Sequence, residues 1–205
     1  HYRAAYDIDS TDLEVLTSLA ALLFRMEDWD RAFKIYQTVL VHHRDSQGSQ
    51  EIVEIFYRLG GIKLKLGERK KALNMFEKAL EIDAYHRPTL EAVVELQAKH
   101  NDWEAVVQAK QALLETADAD GKFELHQQLG DIFRQNLRSP ERGIAAFEAA
   151  ADIKPDSHAV LHKLIELFSE TEQWQRAVEI VERLAEMESN NRIKARYHYS
   201  AAVIN

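Results

Sequence analysis

The sequence predicts an all-α fold, an α-solenoid in which antiparallel helix hairpins follow one another along the chain. Three observations carry this. Apolar residues recur at three- and four-residue intervals, as in Leu16, Leu19, Ala20 and Leu23, the spacing of one helix face. Only three prolines and seven glycines occur in 205 residues, too few for long irregular stretches. Three tryptophans, Trp29, Trp103 and Trp174, stand in closely similar settings (EDWDRA, NDWEAV, EQWQRA) and are separated by 74 and 71 residues. Each interval is close to two periods of about 34 residues, so two further units belong between them.

The units follow in order. Residues 1–10 read as the end of a preceding second helix, with Tyr2 and Ala5 at its aromatic and small positions. The first full unit, 13–46, carries Ala20, Ala32, Tyr36 and Val39; the second, 53–86, repeats this as Gly60, Ala72, Phe76 and Ala79. The third, 87–120, has Val94, Val106, Lys110 and Leu113, and the fourth, 123–157, has Gly130, Gly143, Phe147 and Ala150. The fifth, 158–191, has Ile165, Ala177, Val181 and Leu184, and residues 192–205 read as the first helix of a further unit. Inside each unit a polar break separates two amphipathic segments: Met26-Glu27-Asp28, Leu66-Gly67-Glu68, His100-Asn101-Asp102. Gly67 suits a left-handed helix end, and Asp28, Asn101 or Asp102 can cap the next helix. Small residues fall where the two helices approach closely, and the aromatics one turn later fill the gap to the next hairpin. The third unit lacks both devices at Val94 and Lys110 and is expected to pack more loosely. Two connections are longer than the minimum, Arg44 to Gln50 and Asn136 to Glu141.

Composition removes several function classes. The chain has no cysteine, hence no disulfide, thiolate metal site or cysteine nucleophile. The net charge of −8 with no basic run disfavours nucleic-acid partners. No stretch reaches the roughly 18 apolar residues of a membrane span. The sequence names no compartment, with the cytoplasm slightly favoured. It opens without methionine and already helix-like, so it is expected to be an excised piece of a larger protein, from which a targeting segment or anchor could have been cut. No glycine loop for phosphate, nucleophile elbow or buried carboxylate pair is readable, so catalysis is not expected.

The leucine-glycine pair, the alanine twelve residues on, the aromatic, the second alanine and the closing Pro155 resemble the tetratricopeptide repeat. The resemblance is strongest in LGGIKLKLGERKKALNMFEKALEID and covers nearly the whole chain. It implies a right-handed superhelix whose first helices line a concave groove, and hence a protein or peptide partner. The inward positions it implies are Glu14, Thr17, Arg25, Glu54, Tyr57, Lys65, Glu91, Glu95, Lys99, Glu124, Gln127, Asp131, Arg134, His162, Glu166 and Glu170. Eight are acidic and four basic, so a basic partner is expected. The residues expected to carry binding are Tyr57, Glu91, Glu95, Gln127, Asp131, Arg134, His162 and Glu166. The subclass that grips a peptide's terminal carboxylate uses cationic and amide residues near where Thr17, Ala21, Gly61 and Glu91 stand here, so that clamp is not expected.

Several residues take plainer readings. His158 and His162 share a helix face at i, i+4 but lack the further ligands of a zinc site, so no metal and no cofactor is expected. His42 and His43 suit a helix C-terminus. The tryptophans are read as packing residues at the start of each second helix. Hairpins of this kind expose packing faces at both ends, so self-association through those ends is a further expectation. A structural spacer, or a regulatory module of a larger protein, is the alternative function.

Overall fold

The computed structural model describes residues 12–43 and 48–204. The readings for residues 1–10 and for most of the 44–50 insert lie outside the described residues. Among the described residues eleven helices and no strand occur. They are α1 (Leu13–Arg25), α2 (Trp29–His43), α3 (Ser49–Lys65), α4 (Arg69–Ile82), α5 (Arg87–Ala98), α6 (Trp103–Thr116), α7 (Ala119–Gln135), α8 (Pro140–Ile153), α9 (His158–Glu170), α10 (Trp174–Met187) and α11 (Asn191–Ile204). The chain divides into two compact units between Leu96 and Gln97, inside α5 of the third hairpin.

Local chemistry sets the helix ends. Asp12 caps α1 by accepting from the Val15 N–H at 2.9 Å, and Asp118 caps α7 by accepting from Gly121 at 2.8 Å. Pro140 opens α8, where its missing N–H costs nothing. The hairpin turns reuse one device. Glu27, Gly67, Asn101 and Glu172 are left-handed, with φ of 59°, 74°, 58° and 56°. The residue after each donates its N–H five residues back, as Asp28 to Leu23 O at 3.0 Å and Gln173 to Phe168 O at 2.8 Å. Only Gly67 takes this conformation without the penalty of about 1 kcal/mol that a Cβ brings. In the α7–α8 turn the left-handed residue is Arg138, φ 49°. There Ser139 donates six residues back, to Phe133 O at 2.8 Å, because the turn carries one residue more.

In the first unit (α1–α5) one cluster joins Leu16, Leu19, Ala20 and Leu23 of α1 to Ala32, Ile35, Tyr36 and Val39 of α2 and Val53, Phe56, Leu59 and Ile62 of α3. Full burial of each large member contributes about 1.5–3 kcal/mol. Phe76 of α4, fully buried, joins this hairpin to Leu96, Ala92 and Val93 of α5. Its ring also lies against Gly60 of its own hairpin, so that a Cβ on Gly60 would overlap it. The aromatic therefore does more than bridge to the next hairpin, as the sequence suggests: it also explains the glycine.

The second unit (α6–α11) repeats the arrangement. A Cβ on Gly130 would stand 2.6 Å from Phe147 Cζ, and Gly143 brings α8 within 3.5 Å of the Gly130 carbonyl, measured from the position its Cβ would take. Phe147 and Ala150 pack with Val160, Leu161, Leu164, Leu167 and Phe168 of α9 and with Ala177 and Leu184 of α10. α11 docks through Ala201 on Val178 and Val181. Arg142 and Arg176 reach from second helices over Phe133 and Phe168 of the first helix in the same hairpin, at 4.2 and 4.3 Å. Arg142 also makes a two-pronged bond to Glu104 of α6 at 2.8 and 3.2 Å, which holds the Glu104 carboxyl below the usual range.

Two expectations need correction or refinement. Trp29 packs edge-to-face on Phe24 (5.3 Å, 82°), as a packing residue should, but Trp174 is 48% exposed. The common EQWQRA setting fixes its place at the helix start without fixing its burial. Lys110, at the aromatic position of the third hairpin, instead reaches Gln128 Oε1 of α7 at 2.5 Å, and burial lowers its pKa.

Candidate binding faces

The first helix of each hairpin carries the residues that the repeat resemblance implies face inward, and the two units treat this face differently. In the first unit α1 and α3 bound an open cleft of about 400 Å³, lined by Thr17 and Ala21 of α1, Tyr36 of α2, and Gln50, Glu51, Glu54, Ile55 and Arg58 of α3. The cleft exists because Ala21 is small and Tyr36 is buried in the hairpin core, which leaves its hydroxyl facing Arg58. Arg58 is held in place: Nε donates to Glu54 Oε1 at 2.7 Å and Nη1 to the Tyr36 hydroxyl at 3.3 Å, with the guanidinium 5.8 Å from the Phe24 ring centre. Burial raises the Tyr36 phenol pKa, partly offset by Arg58. The Thr17 hydroxyl is occupied by the Leu13 carbonyl at 2.8 Å. Glu51 leans back over the start of α3 at Gly48 and has no ion pair among the described residues.

Of the residues expected to carry binding in this unit, Tyr57 lies one turn beyond the cleft. It is half-buried, packed on Phe76 (ring centres 6.2 Å) and edge-on to His86 (5.8 Å, 72°). His86 Nδ1 in turn sits 2.7 Å from Thr89 Oγ1. Glu91 is exposed and paired with Arg87 at 2.9 Å, and Glu95 is exposed on the same helix. Gly61, beside them on α3, has open space where a Cβ would stand, so packing does not require a glycine there.

In the second unit the corresponding face carries ion pairs between its own first helices. Lys163 of α9 donates to both Asp131 oxygens of α7 at 2.7 Å. Arg134 of α7 spans Glu166 and Glu170 of α9, both at 2.5 Å. The Arg134 pKa is raised chiefly by the Glu166 hydrogen bond. Gln127 is half-buried on α7, and His162 Nε2 stands 3.4 Å from the Tyr197 hydroxyl of α11. The structure thus brings Asp131, Arg134 and Glu166 into one ladder across two hairpins, with His162 at its α11 side. Three carboxylates of this ladder face two cations, so the acidic excess read from first-helix positions is smaller in place than on paper. Sequence reasoning missed Lys163, Arg58 and Tyr36. A signal for Lys163 was present: Asp131/Lys163 and Arg134/Glu166 are both opposite charges 32 residues apart, about one repeat. Tyr36 reads from its repeat position as core alone, and nothing in the pattern singles out Arg58.

The comparisons agree with this architecture. A family model described as tetratricopeptide repeat matches residues 11–84, the first two hairpins. No curated protein matches the chain. Among solved structures, YrrB, a tetratricopeptide protein with an unusual peptide-binding site, is 16% identical over 97% of each chain, with a TM-score of 0.53. MamA from Desulfovibrio magneticus RS-1 is 18% identical over 85% of this chain and 93% of its own, TM-score 0.51. The C-terminal part of a tetratricopeptide repeat-containing protein from Cytophaga hutchinsonii is 13% identical over 98% and 86%, TM-score 0.54. At such identities the likeness speaks for fold. The tetratricopeptide repeat signature is thus matched in the first two hairpins, and the chain as a whole shares the hairpin fold of solved tetratricopeptide repeat structures.

Proposed function

We propose that this chain is a protein-interaction scaffold that receives a peptide or a segment of a protein on its first-helix faces, chiefly that of the first unit. The fold is generally non-catalytic and serves binding, and YrrB, similar in fold, carries a peptide-binding site. The observation that carries the reading is the α1–α3 cleft, an opening with both apolar and charged lining that the hairpin core does not fill. Rigid helices hold its lining in place, so a ligand orders few protein groups on binding. A basic partner is favoured by Glu51, Glu54, Glu91 and Glu95 on the neighbouring helices α3 and α5. The second reading is a spacer role for the second unit, favoured by the ion ladder that satisfies its face internally. Self-association belongs to that reading, through exposed Tyr199 and Val203 on α11.

Selection of a displayed peptide library against the chain tests the proposal. Selected peptides should lose at least about tenfold in affinity, 1.4 kcal/mol, on Ala21→Trp combined with Tyr57→Ala. They should be indifferent to Lys70→Glu on the exposed side of α4. Peptides that bind equally well to all variants would place recognition elsewhere.

A further inference from the structure

Resting on that reading, we infer that the α1–α3 cleft is a pocket for one basic side chain, a lysine or arginine of the bound peptide. The cleft has an apolar part and an acidic part. Ala21 and Ile55 offer surface for an aliphatic stem, while Glu51 and Glu54 supply carboxylates one helical turn apart on α3. Arg58 is the only cation among the lining residues. It is committed to Glu54 Oε1 and to the Tyr36 hydroxyl, which leaves Glu54 Oε2 for a visitor, together with Glu51, which has no ion pair among the described residues and can swing from its place over Gly48. The lining therefore carries two negative charges against one positive. A carboxylate ligand drawn to Arg58 would share the cleft with both glutamates and be repelled by them, whereas an ammonium or guanidinium completes the balance with charge-assisted hydrogen bonds. An uncharged aliphatic side chain would use the apolar part and leave the carboxylates without a partner. A volume of about 400 Å³ holds one long side chain with its adjoining backbone.

The test uses three probes, the Nα-acetyl N-methylamides of lysine, norleucine and glutamate, titrated into the whole chain with methyl resonances of Ala21 and Ile55 observed by NMR. The lysine probe should shift both methyls and bind about five- to tenfold more tightly than the norleucine probe, with the glutamate probe weakest. Glu51→Gln should reduce lysine binding about threefold with an unchanged melting curve, and Ala21→Trp should abolish it. Equal binding of lysine and norleucine, preference for glutamate, or no shift with any probe would each overturn the pocket's assignment. The scaffold reading fails separately. If selected peptides still respond to Tyr57→Ala while the lysine probe leaves Ala21 and Ile55 unmoved, the inference falls and the scaffold stands. If the lysine probe binds as described but no selected peptide responds to the groove variants, the scaffold falls and the pocket stands.

Discussion

The first-helix faces of the two units are built from the same repeat positions and end in opposite conditions. In the first unit, Ala21 and a pinned Arg58 border an opening between α1 and α3 with carboxylates at its edge. In the second, the equivalent surface of α7 and α9 is spanned by Asp131–Lys163 and by Arg134 on Glu166 and Glu170. Repeat position alone therefore does not make a binding residue. A groove carboxylate that already holds a cation one repeat away must surrender that partner before it can hold another, and the exchange gains little.

Beneath the faces the hairpins are alike, and the largest expected effect checks that. Gly60→Leu and Gly130→Leu should each cost at least about 3 kcal/mol, since each new side chain must displace a buried aromatic ring, Phe76 or Phe147. Thermal unfolding that responds to one substitution and not the other would break the premise that only the surfaces differ. Next, Arg134→Glu places three carboxylates together and should destabilise the second unit by about 1–2 kcal/mol, whereas Glu51→Lys should leave the first unit's stability unchanged. Chemical denaturation followed by hydrogen exchange in each unit separates these outcomes. A smaller gain of about 1 kcal/mol is expected from Lys110→Met, which removes a half-buried ammonium whose charge is disfavoured there by burial.

One histidine of the second unit adds a pH dependence. Burial, with some help from Lys122, lowers the pKa of His126 on α7. The folded chain then favours the neutral ring, so this stability is fully present above the free-histidine value of about 6.5 and is lost as pH falls through the lower folded value. Hydrogen exchange in the second unit should accelerate over that interval, and His126→Gln should flatten the response. Smallest of all, Glu172→Gly should stabilise the α9–α10 turn by about 0.5–1 kcal/mol by relieving its left-handed backbone.

Much of the fold was legible from the sequence. Spacing placed Gly60 opposite Ala72 at the close approach of the two helices and sent Phe76 and Phe147 to the next hairpin; that the same rings also cover Gly60 and Gly130 became visible only once the helices were packed. The left-handed role of Gly67 was also readable, and asparagine's tolerance of positive φ makes Asn101 a natural occupant of the same turn, but nothing in the side chains of Glu27 and Glu172 asks for it. The faces were legible in position and illegible in condition. The inward list included Asp131 and Arg134 without the Lys163 that neutralises one of them, because Lys163 lies one residue past the counted position. It also omitted Arg58, whose importance comes from Tyr36, a residue 22 positions earlier that reads only as core.

The most direct measurement of the central claim is site-specific photo-crosslinking with a selected peptide, placing p-benzoylphenylalanine in turn at the positions of Thr17, Tyr57, Gln127 and His162. The account predicts crosslinks from positions 17 and 57 and few from 127 and 162. Efficient capture from positions 127 and 162, with none from 17 and 57, would contradict it and move recognition to the face that carries the ion ladder.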